Sequence, residues 1–500
     1  MIPTNLRYRV VIVLLSSLAF ASLASAQKPT PTPERNREIF ALLNDARYAA
    51  PELAVDTFLK VVETKKVTDA VWRKEIIEEA LRMIEDVQHA IPMRLAYGKQ
   101  NELNDTEASI LAGAFFAKLD RLSFKGRVIK LLLETEPARA KQMVFQMGGD
   151  FGLKPRTCED IMTYWVNGIY PVVGKVAAAS FTEKQVAEGQ RALFVAPWIE
   201  NIESPSQIPA AFELVQQLQG SPAERQLLYS ALAKSMNRDF KDDRSFTNSL
   251  LWGNVAARVG KLTDDALRVD IISSYRSMLL KNLRGSRCTD NEIKKGKPLP
   301  DYIEGANKLM AERPLAYEDV AASELKGTVK VKHLLTPATT KLRDELIAVR
   351  DTKVVYNKLV NHDVTDAAWV SRVNEFIEKI LALEATDGET ESEMFFLKTA
   401  FLGGMLSGVS PGELHDSIVR KYLRQLVGSS LQKSNFIVWR AWIGETERMA
   451  PDRFYELVLE FPNPNLKVMA SANKLLAEPK AESKKESPKA TPTPAPAVKP

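Results

Sequence analysis

Cysteine and histidine are scarce in this 500-residue chain. There are two cysteines, Cys158 and Cys288, and four histidines, His89, His333, His362 and His415. Two lone cysteines without Cys-x-x-Cys spacing or a nearby histidine make a poor zinc site. There is no Walker loop, no Gly-x-Gly-x-x-Gly and no His-Glu-x-x-His. P-loop nucleotide hydrolysis, dinucleotide-dependent redox chemistry and zincin-type proteolysis therefore have no motif to rest on. Ser323-Glu-Leu-Lys326 matches the Ser-x-x-Lys of acylating cell-wall enzymes. No Lys-Thr-Gly follows it, and the one Thr-Asp-Asn, Thr289 to Asn291, precedes it. The pairs His362-Asp363 and His415-Asp416 suggest metal ligands only if further His and Asp residues join them, and the sequence offers few. No catalytic set, cofactor or metal is implied.

Long apolar runs are also missing. The most apolar stretch, Val10 to Phe20, is shorter than the ~20 residues that a membrane span needs. Arg7 and Arg9 precede it, and Ala24-Ser25-Ala26 supplies a small-x-small cleavage pattern before Gln27. This predicts a signal peptide over residues 1–26, cut between Ala26 and Gln27, and an exported protein, periplasmic or extracellular. No membrane span remains after the cut.

Strong net charge is absent from the body. The formal charge is +5. Arg7 and Arg9 account for two of these charges. The tail from Ala477 holds five lysines and three glutamates, which accounts for two more, and +1 remains on residues 27–476. A basic nucleic-acid surface is not implied. Residues 27–33 form a stiff Pro/Thr spacer, and residues 477–500 a Lys/Pro/Ala-rich tail too polar to bury a core, so both termini are expected to be disordered. A solubilising role for the tail is the simpler reading, and cell-wall contact is the functional one.

What remains has the period of helices. Trp72, Ile76, Ile77, Ala80, Leu81 and Ile84 fall on one stripe, as do Leu227, Leu228, Ala231 and Leu232, and Leu267, Ile271, Tyr275, Met278 and Leu279. Three helix starts share one formula: Ser204-Pro-Ser-Gln207, Ser221-Pro-Ala-Glu224 and Ser410-Pro-Gly-Glu413. Serine caps the amide three residues on, proline occupies the first turn where its missing N–H has no intrahelical partner, and Glu or Gln reaches back to the cap. Thr182 to Gln185 is a fourth box, and Pro51, Pro137 and Pro451 mark further starts. Gly408 suits a helix C-cap, and Gly403 and Gly404 suit close packing. The best strand candidate is Thr328 to His333, short and isolated.

These patterns predict an all-α fold of stacked helical hairpins, α-solenoid-like or α/α-toroid-like, with disordered termini. A polar break near Gly285 to Asp301 divides an N-terminal helical region, 34–290, from a C-terminal one, 291–476. Val67-Thr-Asp-Ala-Val-Trp72 and Val364-Thr-Asp-Ala-Ala-Trp369 agree at five of six positions. Shared helix-start chemistry explains this more simply than a duplication does.

An oxidising compartment favours a Cys158–Cys288 disulfide, with two free thiols as the alternative. Glu75, Glu78 and Glu79 are candidate carboxylates for acid/base work, but on an amphipathic helix they also fit a solvated face. Trp439 and Trp442 could stack a ligand or fill a helix interface.

Together Ala50 to Ala54 with Trp72, Lys118 to Ser123, Cys158-Glu-Asp160, Asp243 to Phe246, Gly285 to Asp290 and Phe395 to Lys398 resemble phrases of a group of uncharacterised, exported, all-helical bacterial proteins. The resemblance spans most of residues 40–445. It implies an exported helical body and assigns no residue a role. It also adds weight to cysteine pairing, since both cysteines fall within these phrases. The expectation is an exported helical-repeat scaffold of the cell envelope that binds a protein or peptide. The alternative is an α/α-toroid enzyme acting on polysaccharide or peptidoglycan, which requires two opposed carboxylates in a cleft.

Overall fold

A computed structural model describes residues 35–94, 107–147, 160–218, 220–238, 240, 255–259, 261–262, 265–284, 307–308, 311, 335–350, 353–355, 358–360, 366–385, 390–450 and 453–476. The cleavage site Ala26/Gln27, the spacer, the tail, Cys158, Cys288, His333, His362, the Ser323–Lys326 pair, the Thr328–His333 candidate strand and Pro451 lie outside these residues.

The described chain is helical. The helices are α1 (Arg37–Ala46), α2 (Pro51–Glu63), α3 (Ala70–Ile84), α4 (Glu107–Ala117), α5 (Arg121–Thr135), α6 (Pro137–Met147), α7 (Val166–Ala179), α8 (Glu183–Ala187), α9 (Gln190–Glu200), α10 (Ile208–Gln217), α11 (Pro222–Met236), α12 (Val255–Val259), α13 (Asp265–Arg284), α14 (Pro337–Arg350), α15 (Ala367–Leu381), α16 (Glu391–Leu406), α17 (Glu413–Val427), α18 (Leu431–Ser434), α19 (Phe436–Met449), α20 (Phe454–Val458) and α21 (Pro464–Leu476). Two small antiparallel ladders, unforeseen in the sequence, interrupt them. β1 (Met93–Arg94) pairs with β2 (Asp160–Met162), and β3 (Lys353–Val355) pairs with β4 (Lys358–Val360). Segments of two or three residues are too short to show a period of two.

Neighbours in sequence pack as neighbours in space. α1, α2 and α3 stack in turn, then α5, α6 and α7; α11 takes both α9 and α10, with α13 against α11. In the other half α14, α15 and α16 pack together, then α17, α19, α20 and α21. The last described helix meets the first two: α21 lies against both α1 and α2, and α19 lies against α4. Asn465 Oδ1 accepts the Ala50 N–H at 2.9 Å, and Lys467 reaches Asp45 at 3.0 Å.

α2 is covered by four others, α1, α3, α5 and α21. A helix covered on every side should be apolar all round. α2 keeps Glu52, Asp56 and Thr57 buried beside Leu53, Phe58, Leu59, Val61 and Val62. Those polar groups need partners, and two of them have one. Glu52 accepts the Gln88 N–H at 3.1 Å, and Asp56 binds Arg127 of α5 and Lys60. The Thr57 hydroxyl has none.

The capping formulas are largely realised. Thr182 and Gln185 form a complete box. Ser204 and Gln207 do too, but they cap a buried 3-10 turn, Pro205–Gln207, ahead of α10. Ser221 caps the Glu224 amide with Pro222 in the first turn. The third formula fails, because α17 starts at Glu413 with Gly412 as its N-cap. Glycine at its third position lets the chain turn later than proline would start it. Thr390 and Glu393 form a box without proline. Gly408 is not a left-handed C-cap either. It makes room for Arg350, whose Cγ would lie 2.1 Å from an added Cβ.

Both Asp-Ala-x-Trp phrases start helices in the same way. Asp69 accepts the Trp72 N–H and Asp366 accepts the Trp369 N–H, and both rings are buried. The predicted stripes are buried except at Leu81, which is half-buried, and Leu227, which is exposed.

Candidate functional site

The acids come first, because an enzyme reading depends on them. Glu75, Glu78 and Glu79 all sit on α3. Each is held by an arginine from outside it: Glu75 by Arg35 at 2.7 Å, Glu78 by Arg139 of α6, and Glu79 by Arg47 through two bonds of 2.5 and 2.8 Å. Glu75 is exposed, Glu78 and Glu79 are partly so, and their charges tie α3 to its surroundings. The Arg139 and Arg47 hydrogen bonds hold the Glu78 and Glu79 carboxyls below the usual range.

The same holds deeper in the fold. Arg127 donates to Asp56 at 2.7 Å and to both Glu63 oxygens at 2.8 and 2.7 Å. Burial would raise the Asp56 carboxyl, but Lys60 and Arg127 outweigh it and hold it low. Arg191 grips the buried Glu224 through two bonds. Burial raises Glu52 and Asp120, opposed by hydrogen bonds they accept. Asp120 caps α5 through Ser123, and Glu52 takes the Gln88 amide. A perturbed acid is a catalytic candidate only where a substrate can reach it, and these acids act inside the packing.

His415 is buried in the first turn of α17, and burial lowers it, with Asp416 opposing. Asp416 pairs with Arg453 at 3.4 Å. Among the described residues no three His, Cys, Asp or Glu side chains gather as a metal site. No helix among them is long and apolar enough to cross a membrane. Trp439 is fully buried and donates to the Leu426 carbonyl, as an interface residue does. Trp442 lies against Phe396, ring centroids 6.5 Å apart.

One cavity of about 370 Å³ opens at the C-terminal end of α17. Phe395 of α16 forms one wall, and Arg424, Gln425, Ser429, Ser430 and Leu431 form much of the rest. Arg424 is exposed and pairs with no carboxylate among the described residues. The Ser429 hydroxyl already accepts the Leu431 amide at 3.1 Å. A guanidinium fork, hydroxyls and an aromatic wall suit an anionic group on an apolar body. Among the described residues that line it there is no acid or histidine. Sequence reasoning missed Arg424, since one arginine in a last helical turn has no motif. Its only signal was the polar Gly428-Ser-Ser430 turn.

No family model matches the chain, and no curated protein or solved structure is similar to it.

Proposed function

We propose that the chain is an exported helical scaffold of the cell envelope that binds a protein or peptide partner, taking a carboxylate of that partner at Arg424. The observation behind this reading is the composition of the cavity, a guanidinium that pairs with no carboxylate among the described residues, beside hydroxyls and Phe395. Such a set grips an anion and offers no acid/base pair for bond cleavage. The leader pattern, Arg7 and Arg9 before the apolar Val10 to Phe20 and then Ala24-Ser25-Ala26, supports the cellular address.

The test uses a fluorescein-labelled hexapeptide ending in Phe-Glu with a free C-terminus, followed by anisotropy. The mature protein is expected to bind it. The Arg424→Ala variant should weaken binding by about tenfold, and peptide amidated at its C-terminus and Glu side chain should lose it. Equal binding by wild type and R424A would overturn the reading. So would turnover of peptidoglycan or a neutral polysaccharide by the purified protein, which the toroid-enzyme alternative requires.

A further inference from the structure

A second surface lies away from that cavity, where α5 and α7 pack side by side. The two helices touch through Gly126. A Cβ added there would meet Ile169 at 3.2 Å and Val172 at 4.0 Å. One turn further along each helix stand Lys130 and Lys175, both exposed. Lys118 joins them from the turn before α5, with its backbone in the left-handed region at φ 55. Its ammonium sits 4.2 Å from the centre of the Trp165 ring. None of the three lysines has a carboxylate within salt-bridge distance among the described residues. Glu63, whose charge acts on Lys130, is committed to Arg127 through both oxygens. Partial desolvation, then the charges of Lys175, Lys118 and Arg127, push the Lys130 ammonium below the usual lysine range against the pull of Glu63. Positive charge is thus concentrated here with no paired carboxylate among the described residues.

An aromatic ring continues the same surface. Phe116 is 48 % exposed. It is held edge-on by Phe115 at 5.4 Å and by Trp165 at 5.9 Å. A large apolar ring that remains in solvent while fixed by two others is a rigid platform. Ammonium groups beside such a platform match a polymer that alternates carboxylates with the apolar C–H faces of sugar rings.

We infer that Lys118, Lys130, Lys175 and Phe116 form a binding surface for an acidic polysaccharide. The lysines hold its carboxylates and Phe116 carries a sugar face. Binding is electrostatic at long range and weakens with salt. The inference is independent of the Arg424 cavity and survives its loss.

Affinity electrophoresis tests it, using the mature protein in gels containing polygalacturonate, dextran or polyphosphate. Polygalacturonate should retard the protein at low salt and neutral dextran should not. Lys130→Glu with Lys175→Glu should weaken retention at least about tenfold. A control with the same charge change, Lys234→Glu with Lys433→Glu at exposed positions elsewhere, should keep it. If the reversed pair unfolds by circular dichroism, the Lys130→Gln, Lys175→Gln pair takes its place. Phe116→Ala should weaken polygalacturonate binding and leave polyphosphate binding unchanged. Failure of polygalacturonate to retard the wild type overturns the inference, as does equal loss in the control variant. Equal retention by polyphosphate that is indifferent to Phe116 would make the surface a general polyanion site and overturn the polysaccharide assignment.

Discussion

Arg191 of α9 and Glu224 of α11 meet in a two-point grip, Nε to Oε1 at 2.8 Å and Nη2 to Oε2 at 2.6 Å. The Glu224 side chain is only 2 % exposed, so the arginine neutralises a charge that water cannot reach. Removing one partner of such a pair strands the other. Arg191→Ala is expected to destabilise the protein by about 3 kcal/mol in urea unfolding. Replacing both, Arg191→Met with Glu224→Gln, should recover much of that loss. A single mutant as stable as the wild type would refute the buried-charge account.

The contact of α21 with α1 and α2 makes the last described helix part of the first core. Leu466, Val468 and Met469 are buried there, each contributing roughly 1.5–3 kcal/mol. Their sum is comparable to the ~5–15 kcal/mol that holds a typical domain. A chain ending at Asn463 should therefore lose its cooperative melt. A chain ending at Leu476, with residues 477–500 removed, should melt like the full mature protein. Thermal scans by circular dichroism distinguish the two, and cooperative melting of the shorter chain would count against the seam.

Asp56 and Glu52 should respond to pH in opposite senses. The folded Asp56 carboxyl lies below its unfolded value. The stability it lends is present above the unfolded pKa and is lost as pH falls through the folded one. Asp56→Asn should lower the melting temperature at pH 7 and flatten its fall towards pH 3. The folded Glu52 carboxyl is raised by burial. Its contribution is present below the unfolded pKa and is lost as pH rises through the folded one. Glu52→Gln keeps the acceptor for the Gln88 amide and removes the buried charge. It should melt higher than wild type at pH 7 and equally near pH 4. A lower melting temperature for E52Q at pH 7 would contradict this.

Cys158 and Cys288 are expected to be joined in protein recovered from an oxidising compartment. Alkylation of the native, unreduced chain followed by mass spectrometry should find no modified cysteine, and two after reduction. Two modified cysteines without reductant would refute the bridge.

Much of the architecture could be read from periodicity and caps. Asp69 and Asp366 start helices because a short acid accepts the amide three residues on, and that chemistry is local. Ile76, Ile271 and Trp439 are buried because their spacing puts them on one face. What could not be read depends on partners distant in sequence. Glu224 looked like half of a capping box, yet its carboxylate turns to an arginine 33 residues away. Glu78 looked solvated, yet Arg139 arrives from 61 residues on. The cavity escaped for the same reason. Phe395 and Arg424 belong to different helices, and neither stands in a motif. Nor does a hydrophobic stripe say which other stripe will cover it, so the meeting of α21 with α1 was invisible.

That meeting orders events during synthesis. The stretch around Ile39 and Leu42 leaves the ribosome well before the segment near Leu466 that covers it. Until that segment follows, the first described helix has an uncovered oily flank. A stop codon before residue 464 should yield a product with that flank unsealed.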